Sequence, residues 1–259
     1  VDECHKYGAK VAIQIAHAGR KAKDAEVPVA PSAIAFDENY KTPRELTTEE
    51  VKMMVEKFRL AVRRTVKAGF DTIEIHGAHG YLIHEFHSPR TNKRRDQYGK
   101  DLTLFGSEII KAAKEEMPKD MPLIMRISAI EYVEDGYGID TGINLAKAYK
   151  EAGVDIFDIS AGGEGQIVAA GRPGTHAGYQ VPYARAIKEN VNTEVIAVGR
   201  LEEVDLANSV IGNEDADLVA VGRAMFKNPY WALDAASKLN KKIEVPRQYK
   251  KGLPKNIQE

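Results

Sequence analysis

The feature that most constrains the fold of this sequence is a sixfold alternation of short β-branched runs with longer helical patterns. Such an alternation is typical of a parallel β-sheet whose strands are connected by helices on its faces. The predicted strands are Lys10–Ala16, Thr72–Gly77, Leu123–Ala129, Asp155–Ala161, Glu194–Gly199 and Asp217–Gly222. The predicted helices lie near Thr48–Ala68, Ser107–Met117, Ile143–Ala152, Tyr183–Asn190, Glu203–Ile211 and Tyr230–Leu239.

Two kinds of signal mark the ends of the predicted helices. Thr47 and Thr48 precede Glu50 at the start of the first long helix, as an N-cap requires. Several helical patterns stop at a glycine, which favours a left-handed C-cap: Gly69, Gly153 and Gly212.

Six βα units are two fewer than the eight that close the common α/β barrel. Residues 1–7 have the pattern of a helix that is already under way. We therefore predict an α/β fold, a (β/α)8 TIM barrel in which strands three to eight are present and the first two βα units are missing. The alternative is an open six-stranded sheet. No linker or low-complexity segment divides residues 1–259, so we expect a single domain.

Composition excludes several classes of function. The formal net charge of −1 gives no global field that would recruit nucleic acid or an anionic membrane. No apolar stretch approaches the roughly 20 residues that span a bilayer. Cys4 is the only cysteine, which excludes an intrachain disulfide and a Cys-ligated iron–sulfur cluster within this chain. A cytoplasmic setting is the simplest expectation, and we interpret the basic run at residues 93–95 as a solvated loop.

Polar residues interrupt two of the predicted strands. Arg126 falls within an otherwise apolar strand, and Gln14 lies opposite the apolar face formed by Val11, Ile13 and Ile15. A guanidinium inside a covered sheet needs an anionic or strongly accepting partner. One alternative is a core carboxylate such as Glu74 or Asp158. The other is a flavin, whose reduced ring carries negative charge that Arg126 would stabilise, while Gln14 would bind the ring's pyrimidine edge.

A cluster of histidines follows the second predicted strand. His76 and His79 stand where this strand ends and its loop begins, which is the catalytic end of an α/β barrel. Two imidazole donors directed at one oxygen would polarise a carbonyl, and Tyr81 could deliver a proton. A metal site is the alternative, but no third ligand stands at a recognisable spacing, so we predict none. His84 and His87 are interpreted as packing or surface residues.

Glycines end the last two predicted strands. Gly199 and Gly222 would let backbone amides approach a phosphate, as in barrels that bind phosphate after strands seven and eight. Arg223 would add a charge-assisted contact. The sequence has no Gly-rich fingerprint after a first strand, which argues against a Rossmann fold or a P-loop.

These residues stand in segments that resemble the old yellow enzyme family, in its bacterial NADPH dehydrogenase branch. Residues 13–20, Ile-Gln-Ile-Ala-His-Ala-Gly-Arg, are similar to a strand of that family, and residues 74–86 are similar almost letter for letter to another segment. Further matches are Ser88-Pro89, Asn92, Arg94, Asp96, Tyr98-Gly99, Gly178-Tyr179-Gln180-Val181, Asp217 to Arg223 and Asn228 to Trp231.

The resemblance implies an FMN-dependent enzyme that takes hydride from NADPH and reduces the C=C bond of an α,β-unsaturated carbonyl compound. It implies that Gln14 and Arg126 hold the isoalloxazine, and that Gly222 and Arg223 hold the phosphate. His76 and His79 would bind the carbonyl oxygen of the enone, and Tyr81 would protonate its α-carbon. A flavin-binding or ligand-binding barrel without turnover is the alternative, and other flavin barrel chemistries are disfavoured because this His-His-Tyr set belongs to the ene-reductase pattern.

The sequence departs from the family at three places. Residues 98–105 differ from the family's segment, and the first two strands have no counterpart before Val1. The branch ends in a segment whose Arg reaches the active site of a neighbouring subunit, and Lys251 stands at that position here. Lysine keeps the charge but lacks the planar fork of arginine. The expected partners are therefore a small enone and further copies of the chain in a homo-oligomer, and neither nucleic acid nor a membrane.

Overall fold

The computed structural model describes residues 1–165, 176–245, 247–252 and 255. Within these residues six strands form one parallel sheet in the order β1-β4-β5-β6-β7-β8, and β2 pairs with β3 in a second, short parallel sheet. The strands are β1 (Ala12–Ile15), β2 (Val29–Ala30), β3 (Arg44–Glu45), β4 (Thr72–Gly77), β5 (Leu123–Ser128), β6 (Ile156–Ser160), β7 (Glu194–Val198) and β8 (Leu218–Ala220).

Helices connect the strands of the large sheet, as the right-handed crossovers of a parallel sheet require. They are α1 (Asp2–His5), α2 (Thr48–Lys67), α3 (Leu82–His87), α4 (Gln97–Lys100), α5 (Leu104–Glu116), α6 (Ile139–Ala152), α7 (Val181–Val191), α8 (Val204–Gly212), α9 (Arg223–Lys227) and α10 (Trp231–Lys238). None of these helices is long and apolar enough to cross a lipid bilayer.

Helix α2 shows how local sequence fixes an element. The Thr47 side chain accepts a hydrogen bond from the Glu50 backbone N–H, and the Glu50 carboxylate accepts one from the Thr47 backbone N–H. This capping box confirms Thr47 as the N-cap. Gly69 and Gly153 take positive φ at helix ends, as predicted. α8 also ends at Gly212, as predicted, but the left-handed cap expected there is wrong, because Gly212 is not among the glycines with positive φ and the cap residue Asn213 has φ −86°.

The two faces of the large sheet differ in chemistry. The outer face, toward the helices, is apolar and fully buried, and it includes Ile73, Ile75, Met125, Ile127 and Phe157. The inner face carries the alternate residues of the same strands, which are mostly polar: Glu74, His76, Arg126, Asp158 and Ser160. The period-2 alternation therefore separates the packed core from the polar face on which the candidate site lies.

The predicted parallel α/β architecture is confirmed, with six strands at the six predicted places. The sheet is open, since β1 and β8 each pair with one neighbour only among the described residues. Its assignment to positions three to eight of a closed barrel stays a prediction. The short elements α3, α4, α9, β2 and β3 were not predicted, because each is too short to show a periodic pattern.

Candidate active site

A row of polar side chains crosses the inner face of the sheet at one level. His76, Arg126 and Asp158 are successive Cα partners on β4, β5 and β6, so their side chains point to the same side. The Arg126 Nε lies 3.3 Å from Asp158 Oδ2, but it makes no hydrogen bond, and Asp158 Oδ1 also has no partner among the described residues. The structure therefore supports the carboxylate alternative for Arg126, as an ion pair with Asp158 in which Nε makes no hydrogen bond. Burial raises the pKa of Asp158, against the opposing effect of Arg126.

Gln14 lies at the open edge of the same face. Its Nε2 donates to Glu74 Oε2, and the two residues are Cα partners on β1 and β4. The Gln14 side chain is exposed, so its amide has the freedom to change partner. Gln14 and Arg126 thus stand on the same inner face, two strands apart in the sheet.

A cavity of about 670 Å³ opens at the carboxyl ends of β5 to β8. This volume lies within the roughly 300–1,000 Å³ of small-molecule and cofactor sites. Gly199 and Gly222 lie at its wall, and a Cβ added at Gly222 would meet nothing within 4 Å. The charged groups among its described lining are mostly cationic: Arg126, Arg200, Arg223 and Lys227, against Glu202.

His76 stands at the end of β4 with one ring nitrogen already committed. Its Nδ1 accepts a hydrogen bond from the Ala78 backbone N–H at 3.2 Å. Burial lowers the pKa of His76 to about 4, with further lowering by Arg126 and Lys21. The ring is therefore neutral near pH 7, and its single proton must sit on Nε2. His76 offers a hydrogen-bond donor there, and no positive charge.

His79 lies in the loop that follows β4, with its ring centroid 5.2 Å from that of His76. Its φ of 60° is in the left-handed region, and its backbone N–H donates to Ser128 Oγ at 3.1 Å. The Nε2 is 2.7 Å from Ser160 Oγ. Burial lowers the pKa of His79 to about 3, with Arg126 and His76 adding to the effect. His79 is thus a second neutral imidazole beside the first.

Tyr81 completes the predicted set. It is the residue before α3, and its ring centroid is 5.0 Å from that of His76 at an interplanar angle of 62°. The structure therefore brings the three residues predicted from the sequence together at the carboxyl end of β4, with the His76 ring in contact with the rings of both His79 and Tyr81.

Lys21, which the sequence did not single out, anchors this loop. Its Nζ donates to the carbonyl oxygens of His79, at 2.7 Å, and of Gly163. Its ammonium also lies 4.0 Å from the Phe36 ring centroid and 5.9 Å from that of Tyr81. Burial lowers the pKa of Lys21 to about 8, which Glu164 partly opposes. One cation thus joins the loop after β4 to the loop after β6.

A buried polar cluster supports the loop from behind. The His84 Nδ1 accepts from the Gly80 backbone N–H at 3.0 Å, and its Nε2 lies 3.1 Å from Glu131 Oε1 and 3.9 Å from Glu164 Oε1. Burial drives the pKa of His84 well below its usual value, so the ring is neutral. His84 and His87 are both fully buried, so packing is confirmed and the surface alternative is wrong.

His84, Glu131 and Glu164 are close enough to one another to hold a cation. The hydrogen bonds argue against that use. The His84 Nδ1 is an acceptor from Gly80, so the proton of the neutral ring sits on Nε2 and points to the carboxylates. A metal ligand would need the lone pair at that nitrogen.

A six-stranded parallel sheet with a cationic cavity and a His-His-Tyr set at the carboxyl ends of its strands is the arrangement of an α/β enzyme, whose ligands bind at that end of the sheet. Comparison with known families gives the specific assignment. The chain belongs to the NADH:flavin oxidoreductase / NADH oxidase family, whose model matches residues 1–242. It is therefore an enzyme of the oxidoreductase class, FMN is the cofactor of its family, and the resemblance to the old yellow enzymes is confirmed.

Curated relatives agree with this assignment. The NADPH dehydrogenase of Clostridium acetobutylicum is 43% identical over 257 residues, which are 97% of this chain and 74% of that protein. The NADPH dehydrogenase of Listeria monocytogenes is 46% identical over 252 residues, which are 96% of this chain and 73% of that protein.

Solved structures share the fold. A 2-naphthoyl-CoA reductase in complex with 2-naphthoyl-CoA superposes with a TM-score of 0.80 at 27% identity, covering 88% of this chain and 38% of that chain. A morphinone reductase variant in complex with tetrahydroNAD gives a TM-score of 0.72 at 24% identity, covering 91% of this chain and 69% of that chain. The second likeness shows the fold alone.

Proposed function

We propose that this chain is an FMN-dependent, NADPH-oxidising ene-reductase that reduces the C=C bond of α,β-unsaturated carbonyl compounds. The observation that carries the proposal is the contact of the His76 ring with the rings of His79 and Tyr81, beside the cationic cavity. Ser160 connects the two, because it lines the cavity and is hydrogen-bonded to His79.

The cavity fits FMN in charge and size. The Arg126 Nε is buried without a hydrogen bond and is ion-paired with Asp158 at 3.3 Å, and the guanidinium would donate to the isoalloxazine on the inner face. Arg223, Gly199 and Gly222 lie in the wall at the ends of β7 and β8, where the phosphate would be held. Gln14, on the same inner face, would bind the pyrimidine edge. FMN, when bound, supplies the atom that accepts hydride from NADPH and delivers hydride to the β-carbon of the enone.

The His-His-Tyr set would act on the other end of the enone. His76 would donate from Nε2 to the carbonyl oxygen, with His79 as the second donor, and so stabilise the negative charge that develops on that oxygen. Tyr81 would give its phenolic proton to the α-carbon and regain one from solvent. Because both histidines are neutral, this polarisation depends on the direction of two N–H bonds.

The test uses the purified protein loaded with FMN, without oxygen. NADPH should bleach the flavin absorbance, and cyclohexenone should restore it with formation of cyclohexanone. Deuterium from labelled NADPH should appear at the β-carbon, and deuterium from heavy water at the α-carbon. Bleaching by NADPH with no reoxidation by any enone would retain the NADPH dehydrogenase and remove the ene-reductase. A barrel that binds ligands without turnover is not favoured, since the relatives are dehydrogenases.

Two further proposals concern the place of the six strands in a barrel and the number of subunits. We propose that the six strands are positions three to eight of an eight-stranded barrel within one domain, because β1 and β8 each have one open edge in the part of the chain that the structure describes. We also propose a homo-oligomer in which Lys251, which is exposed, faces a neighbouring subunit. Light scattering on the purified protein would give the subunit number, and a monomer would remove the second proposal.

A further inference from the structure

We propose that Ser160, backed by Gln180, sets which ring nitrogen of His79 carries the proton, and thereby switches His79 between a resting and a donating state. The inference rests on the proposed function, since it assigns His79 as a donor to a ligand oxygen. Ser160 and Gln180 are positioning residues in it, because both act on the ligand through His79.

The imidazole of His79 has one proton to place. A neutral ring carries its hydrogen on either Nδ1 or Nε2, and the partner of one nitrogen decides the state of the other. The partner of Nε2 is the Ser160 hydroxyl at 2.7 Å, and Ser160 is buried at the end of β6. A hydroxyl can either accept from that nitrogen or donate to it, so the tautomer follows the direction of the Ser160 O–H bond.

Gln180 supplies the competing acceptor. Its Nε2 donates to the Val198 carbonyl at 3.0 Å, which fixes the orientation of the amide and turns Oε1 toward Ser160. When Ser160 donates to Gln180 Oε1, its oxygen accepts from His79 Nε2–H, and Nδ1 is left with a bare lone pair. In that resting state His79 has no N–H for a ligand oxygen.

The distances show that this resting state is held weakly. The Ser160 Oγ to Gln180 Oε1 separation is 3.4 Å, at the long limit of a hydrogen bond, whereas the contact with His79 is short. If the hydroxyl turns to donate to His79 Nε2, only the long contact is lost. This change of tautomer leaves the charge of the His79 ring unaltered, because Nε2 gives its proton to water and Nδ1 takes one from water. The proton on Nδ1 is then the donor that His79 offers beside His76.

A ligand oxygen would select the donating state. An oxygen that accepts from His76 Nε2–H and from His79 Nδ1–H binds one of the two tautomers only, so its apparent affinity is reduced by the fraction of His79 in that tautomer. His76 needs no such step, because the Ala78 N–H already fixes its proton on Nε2. The two histidines therefore differ, because the tautomer of His76 is fixed before a ligand binds and the tautomer of His79 is selected by the ligand.

The test reads the tautomer directly by nitrogen NMR of the FMN-loaded enzyme with ¹⁵N-labelled histidine, with phenol as the probe ligand. The His79 signals are assigned by their loss in His79→Asn. We expect Nε2–H without phenol and Nδ1–H at saturating phenol. The same tautomer in both conditions, or a doubly protonated ring with phenol bound, would overturn the proposal.

Substitutions of Gln180 and Ser160 are expected to change phenol affinity in opposite directions. Gln180→Met removes the competing acceptor, so His79 should show Nδ1–H without phenol, and phenol should bind more tightly by the reciprocal of the wild-type Nδ1–H fraction. Ser160→Ala removes the hydroxyl that donates to His79 Nε2 in the donating state, so phenol binding should weaken about tenfold. Ser209→Ala is the control: it lies on α8, is exposed, and its hydroxyl donates only to the Asp205 carbonyl, so the tautomer of His79 should stay as in wild type.

The outcomes separate this inference from the proposed function. An enzyme that reduces no enone would still show the tautomer of His79 in the ligand-free state, where wild type and Gln180→Met are expected to differ. If the two proteins show the same ligand-free tautomer while enone reduction proceeds, the switch is wrong and the function stands. Should Gln180→Met fail to fold, the phenol titration of wild type decides alone.

Discussion

Gly163 lies against the backbone of His79 with no room for a side chain between them. A Cβ on Gly163 would fall well inside 3.0 Å of His79 Cα, and the φ of Gly163 is +106°, in the region that favours glycine. Gly80 meets the Gly163 carbonyl in the same way. The loops after β4 and β6 therefore interlock through two glycines, and the position of His79 depends on both.

We expect Gly163→Ala to destabilise the protein by about 1–3 kcal/mol, because it adds strained backbone to a steric clash. Phenol binding should weaken as well, since His79 must move. The control is Gly212→Ala at the end of α8, where a Cβ meets nothing within 4 Å. That change should be neutral or slightly stabilising. Urea unfolding of the two variants measures the difference, and equal stabilities would show that the interlock does not constrain His79.

Arg223→Ala should weaken FMN binding by about 1.5–3 kcal/mol, roughly 10- to 160-fold in Kd, through loss of a charge-assisted phosphate contact. Arg126→Ala should in addition slow reduction of the bound flavin by NADPH. Fluorescence titration of the apoprotein with FMN measures the first effect and stopped flow the second. Arg185→Ala, an exposed arginine of α7 paired with Glu189, is the control. Equal FMN affinity for Arg223→Ala and wild type would remove the phosphate assignment.

His76→Ala or His79→Ala should slow flavin reoxidation by cyclohexenone about 10²–10³-fold, the usual cost of losing one oxyanion-type donor. Bleaching by NADPH should continue, because the flavin half-reaction does not use the enone oxygen. Rapid mixing of the pre-reduced enzyme with cyclohexenone follows the rate. Loss of a stoichiometric metal from either variant would instead restore the metal alternative for this pair.

Tyr81→Phe should slow enone reduction at the protonation step and leave the half-reaction with NADPH unaltered. The solvent isotope effect on reoxidation by cyclohexenone should change, since water then supplies the proton to the α-carbon. An unchanged rate with every enone across the pH range would limit Tyr81 to packing or binding.

His84 makes stability depend on pH in a defined direction. Its pKa in the folded protein lies well below the usual value because the ring is fully buried, so below about pH 6.5 the unfolded chain binds a proton that the folded chain does not. The fold therefore loses stability as the pH falls. His84→Gln, which keeps a donor and an acceptor, should flatten this loss by up to about 1.4 kcal/mol per pH unit between pH 6.5 and 5.

Urea unfolding at a series of pH values measures that slope. His176→Gln, at an exposed position, is the control and should follow the wild-type curve. A variant His84→Gln with the wild-type slope would mean that His84 does not stay neutral in the folded protein.

Much of the candidate site could be predicted because its residues stand at the ends of strands. Strand periodicity placed Arg126 on the inner face, and the end of β4 placed His76 and His79 at the catalytic end of the sheet. The same reasoning could have found Ser160, which follows Asp158 by two residues and so points inward. It was missed because a serine at a strand end has no distinctive pattern.

For other residues, the local sequence has no pattern that predicts their role. Lys21 anchors the carbonyl oxygens of residues that lie 58 and 142 positions away in the chain, so no spacing encodes its role. The basic run at residues 93–95 is predicted to be a solvated loop, and Lys93 and Arg95 are indeed exposed. The Arg94 side chain is buried instead, and its guanidinium donates to the carbonyls of Pro31 and Leu46 and to Asp96. Tertiary contacts of this kind override the polarity of the local sequence.

The opposite chemistry of the two sheet faces has a consequence for how the enzyme could diversify. Ile73 and Met125 face the helices, while their immediate neighbours Glu74 and Arg126 face the candidate site. A combinatorial library confined to inner-face positions of β4, β5 and β6 would alter ligand preference without opening cavities in the apolar layer. Such variants should keep near-parental melting temperatures, so substrate range could be explored in this scaffold before compensating stabilisation is needed.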